Sequence, residues 1–127
     1  MTLHKSTACD ADHCPIRDVL GHIGDRWTVL VLKALEPGTL RFGEIRHVIE
    51  DVSQRMLAQT LRRLEQDGLV SRRVHPSIPP RVDYTLTDLG RSLMEPIGAM
   101  VDWAVTHHED VRAARAAWVP PPSHTAL

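Results

Sequence analysis

Aromatic side chains are scarce in this chain. Phe, Trp and Tyr together make up 4% of its 127 residues, too few to suggest an aromatic cage or the ligand it would hold. Cysteine is rarer still, with only Cys9 and Cys14. The first nine residues hold no apolar signal core. Two thiols without a secretory signal argue against a disulfide scaffold and for a cytoplasmic location. No stretch approaches the roughly 20 apolar residues that span a bilayer, so no membrane partner is expected. A C-x-x-C pair, a phosphate-binding glycine loop, a Ser/His/Asp triad and a paired-carboxylate site are all missing. An enzyme is therefore not expected, and nothing in the pattern asks for a cofactor.

What is present is an ordinary globular composition, 43% hydrophobic and 24% charged, at a length that suits one domain with one core. The net charge is −1, which at first argues against nucleic acid. DNA binding, however, needs local rather than net positive charge. Between Ser53 and Arg81, six arginines (Arg55, Arg62, Arg63, Arg72, Arg73, Arg81) meet two acids (Glu65, Asp67), so this segment carries +4 while the other 98 residues sum to −5. Charge alone does not separate a DNA-binding surface from a merely solvated basic one.

The order of elements narrows the choice. Pro15 opens a first helix with Ile16, Val19, Leu20 and Ile23 at helical spacing, and Gly24 ends it. Asp25 caps a second helix, apolar nearly all round from Trp27 to Leu35 and therefore central in the core. Glu36-Pro37-Gly38 stops it. Thr39–Phe42 suits a small edge strand. A third helix follows with Phe42, Ile45, Val48 and Ile49 inward, then a tight turn at 51–53 and a fourth helix from Ser53, its N-cap, to Asp67, closed by Gly68. Leu69–Val74 and Val82–Leu86 are strand-like, joined by a proline-rich tip over 75–80. Thr87 caps a long last helix that Pro96 should kink or split. The expected fold is mainly α with a small β-hairpin wing (α+β), a winged helix-turn-helix. Residues 1–13 form a flexible arm, 14–106 the winged domain with its dimerisation helices, and 107–127 a helical extension with a Pro-rich disordered tail.

On the fourth helix, at about 100° per residue, Leu57, Leu61 and Leu64 fall on one face, flanked by Gln54 and Thr60. Arg55, Gln59, Arg62 and Gln66 lie opposite, with Met56 and Arg63 at a margin. Any amphipathic surface helix carries such polar residues. The adjoining hairpin, the N-cap and the segregated charge favour a recognition helix. Arg can pair two donors with guanine, and Gln can pair with adenine. Arg55 and Gln59, near the N-terminal end, are the expected base contacts. Arg62 and Arg63 suit phosphate, and Ser53 and Gln54 can reach phosphate through the helix N-terminus. In the wing, Arg72 and Arg73 alternate in facing, so not both can meet DNA. Arg81, beside the tip, suits the backbone or minor groove. The expected partner is double-stranded DNA.

These pieces together resemble the HxlR-type regulators, a winged-helix family related in fold to the MarR regulators. The resemblance rests on Cys14-Pro15, Gly24-Asp25-Arg26-Trp27-Thr28, Leu40-Arg41-Phe42-Gly43-Glu44-Ile45, Ser53-Gln54-Arg55-Met56-Leu57 and the run from Leu61 to Val70. It continues through Pro79-Pro80-Arg81-Val82-Asp83-Tyr84-Thr85-Leu86-Thr87, Gly90 and Trp103. It covers about Cys14 to Trp103. It implies a homodimer joined by the first and last helices, with two recognition helices on a roughly palindromic operator; the function expected is that of a transcription regulator acting as a repressor. The apolar stripe Leu89, Leu93, Ile97, Met100, Val101 and Ala104 independently suits a partner chain, although packing on the second helix would also use it.

Cys14 sits at the family's characteristic cysteine position, where some relatives sense quinones, aldehydes or other electrophiles. The start of a helix favours a thiolate, and His13 and Arg17 are near, while Asp10 and Asp12 oppose it. Cys9 is an addition to the family pattern. It either resolves an oxidised Cys14, bridges to the partner subunit, or is idle. A small electrophile or oxidant is the corresponding signal. No metal is expected: Cys9, Asp10, Asp12, His13 and Cys14 match no zinc spacing, and His107-His108-Glu109-Asp110 does not converge, because adjacent helical residues point about 100° apart. Two other functions compete. One is a small thiol oxidoreductase using Cys9 and Cys14; the other is a winged protein-interaction module that has lost DNA binding, against which Arg55, Gln59, Arg62, Arg63 and Arg81 argue.

Overall fold

Side-chain oxygens start four of the described helices. Asp25 has extended backbone geometry and its Oδ1 accepts from Trp27 N at 2.8 Å, opening α2 (Arg26–Leu35). Arg41 N donates to Glu44 Oε1 at 2.8 Å at the start of α3 (Phe42–Ile49). Ser53 Oγ accepts from Met56 N at 3.0 Å and opens α4 (Gln54–Gln66). Thr87 Oγ1 accepts from Gly90 N at 3.0 Å and donates to Gly68 O at 2.6 Å, so one hydroxyl caps α5 (Asp88–Ala117) and ties it to the end of α4. Each cap satisfies an amide that has no partner inside its helix. These facts come from a computed structural model that describes residues 14–122.

Gly68 takes φ +76°. Around it Gly68 N reaches Glu65 O and Leu69 N reaches Leu64 O, at 3.1 and 3.0 Å. This pair of bonds closes α4 and needs a left-handed residue between them. Leu69, just beyond, is buried.

Three strands follow the order β1-β3-β2, all antiparallel. β1 is Leu40–Arg41, β2 Val70–His75 and β3 Arg81–Leu86. The hairpin therefore pairs one residue further toward its tip than expected, His75 opposite Arg81. Both side chains are held by Asp83, as described below.

The described residues divide into two compact units that meet between residues 94 and 95. The core of the first is made by Val31, Leu32 and Leu35 of α2, Ile45 of α3, Leu57, Leu61 and Leu64 of α4, and Val70 and Leu86 of the sheet. α2 is central, as its apolar circumference requires. Between α3 and α4 the chain reverses at Glu50, φ 72° and ψ −60°, with Asp51 N bonded to Ile49 O at 2.9 Å. A three-residue turn of this hand strains a side-chain-bearing residue by of order 1–3 kcal/mol. Val52, buried two residues on, pins the turn.

Three expectations need correction. The first helix (α1) begins as a π-helical stretch, Ile16–Leu20, and becomes α-helical only over Gly21–Ile23. Its wider turn breaks the spacing of a single apolar face, and Ile16, Val19 and Leu20 are exposed while Ile23 is buried. Val48 of α3 is 58% exposed, because in a helix of eight residues Ile45 alone takes the inward direction fully. Pro96 does not split α5: helical residues continue on both sides of it, and the proline forfeits only its own amide bond.

The described part of the second unit is mostly the remainder of α5. Trp103 and His107 stack there, ring centroids 4.7 Å apart. Met100, Trp103, Val105, Trp118 and Val119 are exposed. Among the described residues no helix is long and apolar enough to cross a membrane.

Candidate nucleic-acid interface

Every third or fourth residue of α4 is buried (Leu57, Thr60, Leu61 and Leu64). This pins the helix and turns its other side outward. Arg55, Gln59, Arg62 and Gln66 are exposed there, as is Gln54 at the helix start. Ser53 is exposed too, but its hydroxyl serves the cap. The buried stripe is one residue wider than the leucines alone indicate, since Thr60 is fully buried.

Arg63 differs from its neighbours. Its Nη2 donates to Asp25 Oδ2 at 3.2 Å, while its Nε is buried without a hydrogen-bond partner. Asp25 thus caps α2 with one oxygen and anchors α4 with the other. This links the start of α2 to α4. An Asp25→Ala protein should lose about 1–2 kcal/mol of stability through the cap, and Arg63→Ala up to about 1 kcal/mol. In urea titrations the double variant should fall little below Asp25→Ala alone, because the pair is shared. Simple addition of the two losses would show that the ion pair is not what links the helices.

The wing is organised by strand register. Paired residues share a face, and alternate residues along a strand do too. One face carries Val70, Arg72 and Val74 with Val82, Tyr84 and Leu86; its base is buried in the core. Toward the tip, Arg72 and Tyr84 line a cleft with Arg62 and Glu65 of α4. The other face carries Arg73 and His75 of β2, Arg81 and Asp83 of β3, and Arg41 of β1, which pairs with Asp83. Asp83 Oδ2 lies 2.9 Å from His75 Nε2, and its Oδ1 lies 3.4 Å from Arg81 Nε. Arg41 and Arg81 also line a cleft between the start of α3 and the wing tip, where Ile78 is fully exposed.

Of the predicted site residues, Arg55, Gln59 and Arg62 therefore share one exposed surface, Arg72 joins it across the cleft, and Arg81 belongs to the outer face of the wing. Sequence reasoning missed Arg41, His75 and Asp83. Strand alternation from Arg81 would have found Asp83; Arg41 emerges only from the pairing of β1 with β3.

Cys14 is fully buried and its sulfur is in a disulfide. Its carbonyl accepts from Asp18 N at 2.8 Å. Cys9 lies outside the described residues, as do Asp10, Asp12 and His13. His107 stacks on Trp103, and among the described residues no group of three His, Cys, Asp or Glu side chains is placed to hold a metal.

The chain can now be set beside known proteins. A family model described as HxlR-like helix-turn-helix matches residues 22–112. The HTH-type transcriptional regulator YtfH of Escherichia coli (strain K12) is 47% identical over 105 residues, 83% of each chain. Among solved structures, the transcriptional regulator ytfH from Salmonella typhimurium superposes with a TM-score of 0.75 at 44% identity, covering 83% of this chain and 94% of that one. The redox regulator HypR in its reduced form superposes with a TM-score of 0.73 at 34% identity, covering 78% and 98%. These relatives are regulators, not enzymes, which removes the thiol oxidoreductase reading. The sequence, the winged fold and the matched span agree: this chain is a transcriptional regulator and belongs to the HxlR-like helix-turn-helix family.

Proposed function

We propose that this regulator is a homodimeric repressor that reads a pseudo-palindromic operator in double-stranded DNA. α4 enters the major groove, with Arg55 and Gln59 on base edges and Arg62, Arg72, Ser53 and Gln54 on the backbone. Arg81 reaches the flanking backbone or minor groove. Arg63 contributes chiefly by holding α4 through Asp25. The observation that carries this reading is the exposed polar side of α4, faced across a cleft by Arg72 of the wing and fixed in place by its buried stripe. Exposed Ile16, Val19 and Leu20 on α1, and exposed Met100 and Trp103 in the second unit, support a partner chain.

Titration of labelled DNA from upstream of the gene, against unrelated competitor at two salt concentrations, tests the reading. Competitor-resistant binding that weakens steeply with salt is expected. Weak binding of the same strength to operator candidates and to every sequence in a random pool would overturn it. Sedimentation at micromolar concentration should show a dimer.

Control by oxidants or electrophiles through Cys14, with Cys9 as its resolving thiol, is the second part of the proposal. The disulfide at Cys14 and the likeness to a redox regulator support it. Diamide added to the reduced protein should change its operator affinity, and should leave that of a reduced Cys14→Ser protein unchanged. If both respond alike, the thiol is not the sensor.

A further inference from the structure

β3 is the middle strand, so Asp83 has a directly paired neighbour on each side, Arg73 on β2 and Arg41 on β1. Arg81 lies two residues along the same strand, and His75 pairs with Arg81. One carboxylate thus sits among three permanently charged guanidiniums and an imidazole. Both of its oxygens are engaged, one by His75 Nε2 and one by Arg81 Nε. Its side chain is 18% exposed, against 44% for Arg81. The acid is tucked in and the cation stands out.

Without that acid, three arginines on one sheet face would form a phosphate-binding surface indifferent to sequence, since backbone electrostatics supply nearly all non-specific affinity. With it, one positive charge is balanced, and the ion pair from Arg81 Nε to Asp83 Oδ1, 3.4 Å, restrains the guanidinium. A donor that is held in place adds most where the duplex fits and least where it does not.

We propose that Asp83 is a positioning residue that sets the DNA specificity of the wing: it aims Arg81 and holds down the attraction of the outer face for arbitrary phosphate. The proposal rests on the DNA-binding reading above. Its measure is the ratio of operator affinity to affinity for a scrambled duplex of equal length, the operator being recovered by selection from random DNA and the protein used at full length.

The Asp83→Asn protein should bind scrambled DNA about 3- to 10-fold more tightly, with a salt slope steeper by about one. Its operator affinity should not rise in proportion, so the ratio falls about tenfold. In an Arg81→Ala background the same substitution should change the ratio much less, a dependence that a general loss of wing structure would not show. Asp83→Glu keeps the charge and moves the oxygens, so its affinity for scrambled DNA should stay near the natural value even if Asp83→Asn folds poorly. A ratio within twofold of the natural protein's in Asp83→Asn overturns the proposal. So does an undiminished fall in the Arg81→Ala background, or a rise in scrambled-DNA affinity for Asp83→Glu. If selection recovers no preferred sequence with the natural protein, the DNA-binding reading fails first and this proposal with it.

Discussion

A Gly90→Ala protein should unfold about 2–4 kcal/mol more easily than the natural one. A methyl group at Gly90 would run into the backbone oxygen of Leu69, and would lie 3.1 Å from the Leu69 carbonyl carbon and 3.2 Å from Leu86 Cδ2. The Leu69 carbonyl has little freedom to move. It accepts from Thr87 N at 3.0 Å, and Leu69 N is bonded to Leu64 O at the close of α4. Relief of the clash therefore disturbs the junction of α4, β2 and α5 together. Gly43 is the matched control: a Cβ there meets nothing within 4 Å, and in a helix Ala is favoured over Gly by roughly 0.5–1 kcal/mol. Urea midpoints should move down for Gly90→Ala and slightly up for Gly43→Ala, with unchanged slopes. Equal shifts in the same direction would remove the steric account.

On the DNA-binding reading, Arg55→Ala should weaken operator binding about 10- to 100-fold, the usual cost of about 1–3 kcal/mol for a bidentate base contact. It should also relax the preference at one base pair in each half-site. Arg62→Ala is the contrast. As a backbone contact it should weaken binding to all sequences alike and lower the salt slope by about one. Titrations on an operator and its single-base variants separate the two. If Arg55→Ala loses affinity equally on every variant, Arg55 touches phosphate and the base-reading assignment moves along the helix to Gln59.

The parts of this fold set by short-range chemistry were readable from sequence. Asp25, Ser53 and Thr87 cap helices because each oxygen needs only an amide two or three residues away. Gly68 closes α4 because its φ of +76° suits glycine. Periodicity placed Leu57, Leu61 and Leu64 inside, and therefore Arg55, Gln59 and Arg62 outside. The harder residues depend on neighbours distant in sequence. Arg63 lies at the margin of the helical wheel, and only the position of Asp25 turns it inward to the ion pair. Arg41 joins the wing through the pairing of β1 with β3, which no local pattern in a two-residue strand can specify. In α1, apolar spacing indicated a helix without distinguishing an α-helical start from a π-helical one.

The smallest element of the sheet has a kinetic consequence. β2 and β3 meet across a short tip, whereas β1 joins Leu40 to Tyr84 and Arg41 to Asp83. Closing so long a loop costs chain entropy before its few bonds offset it. β1 therefore docks late, onto helices and a hairpin already in place, and changes in it act mainly on the rate of unfolding. The outer face of the wing, completed by Arg41, is then expected to form late in folding, and substitutions in β1 should raise the unfolding rate more than they slow refolding. A partly folded chain has the hairpin's arginines but not the array in which Asp83 has a neighbour on both sides, so the finished surface appears only with the native state.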